Sequence, residues 1–84
     1  MAEEVVGKVT DFFAHPVVAG IDLTATLKLG DKIHIKGHTT DIEMIVDSMQ
    51  IDNVDVEEAK AGNAIGVKVT ERVRREDIIY KVTD

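Results

Sequence analysis

The chain has 84 residues, 44% of them hydrophobic, no cysteine and a formal net charge of −6. That length supports one small core burying about 60–65% of the unfolded surface, and leaves no room for two. The composition excludes a disulfide framework, a thiolate nucleophile and a zinc ribbon, and the excess of acid works against non-specific binding to phosphate backbones. No apolar run approaches the length of a membrane span, and the acidic start Met1-Ala2-Glu3-Glu4 reads as a short tail, residues 1–4, not a secretory leader. The expectation is one soluble domain over residues 1–84, located in the cytoplasm and away from membranes.

Val, Ile and Thr together supply 28 residues, whereas Leu appears three times. β-branched side chains lose χ1 freedom on a helix and pack well on a pleated surface, so the composition predicts an all-β fold. The first predicted strand spans about Val5 to Phe13 and stops before His15-Pro16, where proline removes a backbone donor. From Val17 to Leu29 every odd position is apolar, a period-two pattern. That run is long for one strand and predicts a bend or bulge, with Gly20 a candidate site.

Gly30-Asp31 is a turn signal, after which Ile33 and Ile35 face inward and Lys32, His34 and Lys36 outward. Gly37 opens a polar loop, and Ile42 to Ile51 reads as one strand with apolar residues on both faces. Val54 to Ala61 is the one stretch with helical character, a turn at most before Gly62-Asn63. A strand carrying Ile65, Val67 and Val69 follows, and the last strand covers about Ile78 to Val82 after the charged turn Arg74 to Asp77. Six or seven short strands with regular turn signals predict a small closed antiparallel β-barrel. Closure also removes exposed strand edges.

Four ordered motifs carry a family resemblance. Leu27-Lys28-Leu29-Gly30-Asp31-Lys32-Ile33 resembles the L-K-x-G-D-x-I turn in the second domain of translational GTPases of the EF-Tu type. Val6-Gly7-Lys8-Val9 precedes it as V-G-x-V, and Val46-Asp47-Ser48-Met49-Gln50 follows as V-x-S-[MV]-[EQ]. Glu58-Ala59-Lys60-Ala61-Gly62-Asn63-Ala64-Ile65-Gly66 matches E-A-x-x-G-[DN]-x-[IV]-G, and Val73-Arg74-Arg75 closes the set. Gly37 to Asp41 with Ser48-Met49-Gln50 is similar to a narrower group: small elongation-factor-like proteins and the C-terminal barrel of collagenase-like peptidases. The resemblance implies a barrel of the translation-protein type. It does not extend to a GTPase, because the chain has neither a G-x-x-x-x-G-K-[ST] phosphate loop nor an N-K-x-D sequence. Arg75-Glu76-Asp77 also lacks the glycine usual before the final strand, which leaves the shape of that turn open.

Catalytic candidates are few. Ser48, the one serine, reads as a small hydroxyl satisfied by backbone. His15, His34 and His38 read as surface imidazoles and not a metal site. Asp41 to Glu58 carries seven acids and no base, and Asp52, Asn53 and Asp55 only loosely suggest a calcium loop. The stretch reads as a solvated acidic face.

Charge is uneven: residues 1–59 hold four bases and twelve acids, whereas residues 60–84 hold six bases and four acids. Lys68, Arg72, Arg74 and Arg75 cluster in the second part, and Lys32, His34 and Lys36 form a stripe on one strand. The bland alternative to one combined patch is cross-strand pairing of these bases with acids. The resemblance implies that Gln50 sits near the pocket for the aminoacyl end of tRNA. Phe12 and Phe13 are adjacent, so a regular strand turns one ring outward as a contact candidate.

The expected binding residues are Lys32, His34, Lys36, Gln50, Arg72, Arg74 and Arg75. The first functional expectation is a non-enzymatic module engaging tRNA, ribosomal RNA or a protein of the translation machinery. The alternative is a protein–protein adaptor docking on a separately encoded peptidase-like catalytic subunit. Neither requires a cofactor, a metal or a nucleotide, and self-pairing through an edge strand stays open.

Overall fold

A computed structural model describes residues 2–14 and 17–83. The expected break at His15-Pro16 lies outside the described residues. The first five strands are β1 (Ala2–Ala14), β2 (Val17–Leu23), β3 (Leu27–Lys28), β4 (Lys32–Lys36) and β5 (Asp41–Ile45). The others are β6 (Met49–Ile51), β7 (Val54–Asp55), β8 (Glu58–Ala59), β9 (Ala64–Lys68) and β10 (Ile78–Thr83). No helix among the described residues is long and apolar enough to cross a membrane.

Eight strands form one sheet in the order β5-β4-β10-β1-β2-β9-β6-β7, and β3 pairs with β8 in a second. Every pairing is antiparallel. The all-β expectation therefore holds, and the ladders among the described residues form a curled sheet of eight strands with a two-stranded link. Among the described residues no ladder joins β5 to β7. Instead β3, which leads into β4, pairs with β8, which follows β7, so the small sheet links segments from opposite ends of the large one. A flat sheet is about 10 Å thick with its side chains. The smallest extent of the Cα trace alone is 20 Å, so the sheet is strongly curled.

The curl encloses the core. Val6, Val9, Ile21, Leu27, Ile33, Ile35, Val67 and Ile79 are buried, with Phe12 and Val56 packed against them. Period-two patterning does this work on β4 and β9, where Ile33, Ile35, Ile65 and Val67 point inward.

On β1 the inward residues Val6, Val9 and Phe12 come every third position. Register shifts fall between Val5 and Gly7 against β10, and between Val9 and Asp11 against β2. Each extra residue reverses which parity faces the core. The strand thus bends around the curl, and Ala2–Glu4, expected as a tail, pair with β10 as the start of β1.

Three other expectations change. The Val17–Leu29 run breaks at residues 24–26 and not at Gly20, because Thr24 and Ala25 both donate to the Val6 carbonyl at the first bulge (2.8 and 3.3 Å). The Ile42–Ile51 run is two strands: the Val46 amide donates to Asp31 O (2.9 Å), the Val46 carbonyl accepts from Gly30, and the chain then crosses to β6. Residues 54–61 carry no helical turn, since β7 pairs with β6 and β8 with β3. The turns at Gly30 and Gly62 are where glycine suits the backbone, with φ of 90° and 91°.

Candidate functional site

The outer surface of the curled sheet has two unlike halves. Over β1, β10, β4 and β5 the outward residues form a charged grid. One cross-strand row is Val5, Tyr80, His34 and Glu43, and a neighbouring row holds Glu3, Val82, Lys32 and Ile45. Lys32 Nζ lies 3.2 Å from Glu43 Oε2. His34 is wedged between two acids, its Nδ1 lying 2.7 Å from Glu3 Oε2 and its Nε2 hydrogen-bonded to Asp41 Oδ1. Its side chain is 13% exposed, and the Tyr80 ring leans against it at 6.3 Å between centroids. The Asp41 hydrogen bond first, then that of Glu3, holds the His34 pKa above its ordinary 6.5, although burial acts the other way. Both ring nitrogens are thus already engaged by protein.

The other half, over β1, β2, β9 and β6, is a trough of about 520 Å³. One row across it runs Asp11, Gly20, Gly66, Gln50 and Asp55 over five strands, so two directly paired glycines leave the middle bare. Thr10 and Phe13 form one wall, and Gln50 with the Asp52-Asn53 turn forms the other. Phe13 is 53% exposed, whereas Phe12 packs on the core, because the bulge before Asp11 puts Phe12 inside. Past Gly66 the trough continues between Val18, Ser48 and Lys68.

The structure divides the seven residues expected to bind among three places. Lys32, His34 and Lys36 lie on the grid, and Lys36 is in register with Ile78, beside the Arg74–Asp77 turn. Lys32 is four strand residues away, about 13 Å from that end. Arg72, Arg74 and Arg75 surround the second β1 bulge. The Arg72 guanidinium lies 5.9 Å from the Phe12 ring centre, Arg75 Nη2 is 3.6 Å from Asp11 Oδ1, and the Arg74 amide donates to Asp77 Oδ2 at 2.8 Å. Gln50 alone of the seven lines the trough, its Nε2 donating to Asp55 Oδ1 at 2.9 Å.

In the sequence Gly66 is an alternating-strand position and the last glycine of the Glu58–Gly66 motif, and Asp22 is one polar position of a long alternating run. Asp52-Asn53 is a loose calcium-loop signal there, and none of these marks a trough. The pair forms the two-residue turn of the β6–β7 hairpin, with φ of 51° and 65°, values that Asp and Asn tolerate better than most residues.

No family model matches the chain. It is 46% identical over 76 residues to a protein of Methanocaldococcus jannaschii described as an uncharacterized protease, a match covering 89% of this chain. The chain spans only 19% of that relative's length. Among solved structures, it superposes on the C-terminal domain of a Geobacillus thermoleovorans protein described as a U32 peptidase, with a TM-score of 0.88. That match covers 95% of this chain and 93% of the domain at 13% identity, a likeness of fold. The selenomethionine variant of the same domain gives 0.85, also at 13% identity, over 90% of this chain and 96% of that one.

These findings overturn the elongation-factor expectation. The relative and the structural neighbours are described as peptidase-type proteins, so the translation-module reading is corrected. The likeness to the C-terminal domain of peptidases stands.

Proposed function

We propose that this chain is an accessory, non-catalytic module of a peptidase-type protein, which docks on the unit that carries the catalysis. The observation that carries this reading is the 46% identity to a stretch amounting to 19% of a protease. A domain-sized match within a much longer protein is what a module added to a catalytic unit produces. The fold likeness to a peptidase's C-terminal domain supports the same reading. In it, the curled sheet with its β3–β8 link serves as a barrel-like body, and the trough over β9 is the contact face. The charged grid is the lesser candidate, because Lys32 and His34 there already pair with acids across the strands.

The test is titration calorimetry of the 84-residue chain against a U32-type peptidase unit produced without its C-terminal domain. The expected result is a saturable one-to-one complex, with no peptide hydrolysis by the small chain on its own. Absence of binding at high micromolar concentration, or turnover by this chain abolished by a point substitution, refutes the proposal.

A further inference from the structure

Gly66 is a glycine that the fold does not demand. Its φ is not positive, and a Cβ built there meets nothing nearer than Val18 Cγ1, at 3.4 Å, an ordinary packing distance. Its neighbour differs: a Cβ on Gly20 comes within 3.2 Å of Asp11 Cβ, so the close approach of β1 restricts that site. Glycine inside a strand weakens it and often marks a place where another backbone comes near. The bare floor at Gly66 therefore needs a reason outside the chain.

Charge is arranged along this floor. The outward positions of β9 are Ala64, Gly66 and Lys68, matched on β2 by Asp22, Gly20 and Val18. Asp22 and Asp52 stand at the Ala64 end, and Lys68 stands at the other. Among the described residues none of these three charges has an ion-pair partner, unlike Lys32, His34 and Arg75. Ala64 to Lys68 spans about 13 Å, the length of four to five extended residues.

We propose that the trough over β9 binds an extended polypeptide segment carrying a small residue over Gly66, a Lys or Arg toward Asp52 and Asp22, and an acidic group toward Lys68. Phe13 covers one flank of the segment, and Gln50 offers amide hydrogen bonds on the other. The inference rests on the docking reading for the source of that segment, a loop or terminus of the peptidase-type unit. Van der Waals contact with the bare floor and with Phe13 supplies the affinity, and the two charged ends set its direction.

The test uses four blocked pentapeptides with a Gly at the centre and end residues Lys and Glu, Lys and Lys, Glu and Glu, or Gln and Gln. Binding is read from amide shifts of Gly20, Gly66 and Gln50. The Lys–Glu peptide is expected to bind best, by about two- to fivefold per charge, and to weaken with salt. Lys68→Glu should lose that preference and favour the Lys–Lys peptide. Gly66→Val should keep or raise the melting temperature and weaken the Lys–Glu peptide by about tenfold or more, through a side chain filling the floor.

Equal affinity for all four peptides, or shifts confined to the charged grid, overturns the proposal. If the peptidase unit docks while the peptides fail, the trough chemistry falls and the docking reading survives. If the peptides bind with this polarity while the peptidase unit does not, the trough chemistry stands and the docking reading falls.

Discussion

Glu76 occupies a backbone conformation in which L-residues are strained, with φ of 74°. The turn around it is held from both sides. Its amide donates to Val9 O (2.8 Å), Asp77 N donates to Arg74 O, and the buried Asp77 carboxylate accepts the Arg74 amide. Where glycine would suit the backbone, Arg75-Glu76-Asp77 places Glu76 in the left-handed conformation. Glu76→Gly should stabilise the protein by about 0.5–1 kcal/mol, read as a rise of the thermal midpoint. Gly37 is the opposite case, for an added Cβ would overlap the Asp77 carboxylate, which the Arg74 amide holds in place. Its presence was legible as a loop signal, but its reason is a contact forty residues away.

At the scale of elements, short ladders replace what local pattern suggested. Residues 54–61 are acidic with scattered apolar positions, enough to suggest a helical turn. Their strand state depends on partners far off in the chain: Leu27 is opposite Ala59, and the Leu29 amide donates to Glu57 O (2.9 Å). Long-range pairing overrides weak local propensity. Leu27 and Ala59 are both buried, so the β3–β8 link is anchored through the core. Leu27→Ala should cost about 2–5 kcal/mol, measured by urea unfolding, and should shorten the amide-exchange protection of Leu29 more than that of β9. β1 teaches the same lesson. Its two bulges follow from the need to bend around a core, and they decide that Phe12 is inside and Phe13 outside.

For the whole molecule, the net charge of −6 matters less than where the charges meet. Glu3, His34 and Asp41 tie the start of β1, the middle of β4 and the edge strand β5 into one cluster. Protonated His34 donates through both ring nitrogens, and its folded pKa lies above 6.5. A raised pKa means that the cluster's contribution is complete below the unfolded value and is lost as pH rises through the folded one. Unfolding midpoints in urea between pH 5.5 and 9 should therefore fall with rising pH, and the fall should be shallower in His34→Gln. Equal slopes for the two proteins would show that the cluster contributes nothing. Of the stripe Lys32, His34 and Lys36, visible in sequence as cationic, the first two are thus already paired with acids. The trough around the outer wall, where Asp22, Asp52 and Lys68 have no ion-pair partner among the described residues, is the open surface.

By itself the sequence determined the all-β class, the inward faces of β4 and β9, and the turns at Gly30 and Gly62, because period-two burial and left-handed glycines are local physics. Only the tertiary structure decided that β3 and β8 link the two ends of the large sheet, that β1 bulges twice, and that Gly20 and Gly66 lie side by side in a trough beside Phe13. Those outcomes depend on which strands become neighbours. Neighbourhood is set by enclosing one small core, a constraint that acts on the whole chain at once and leaves little trace in any single segment.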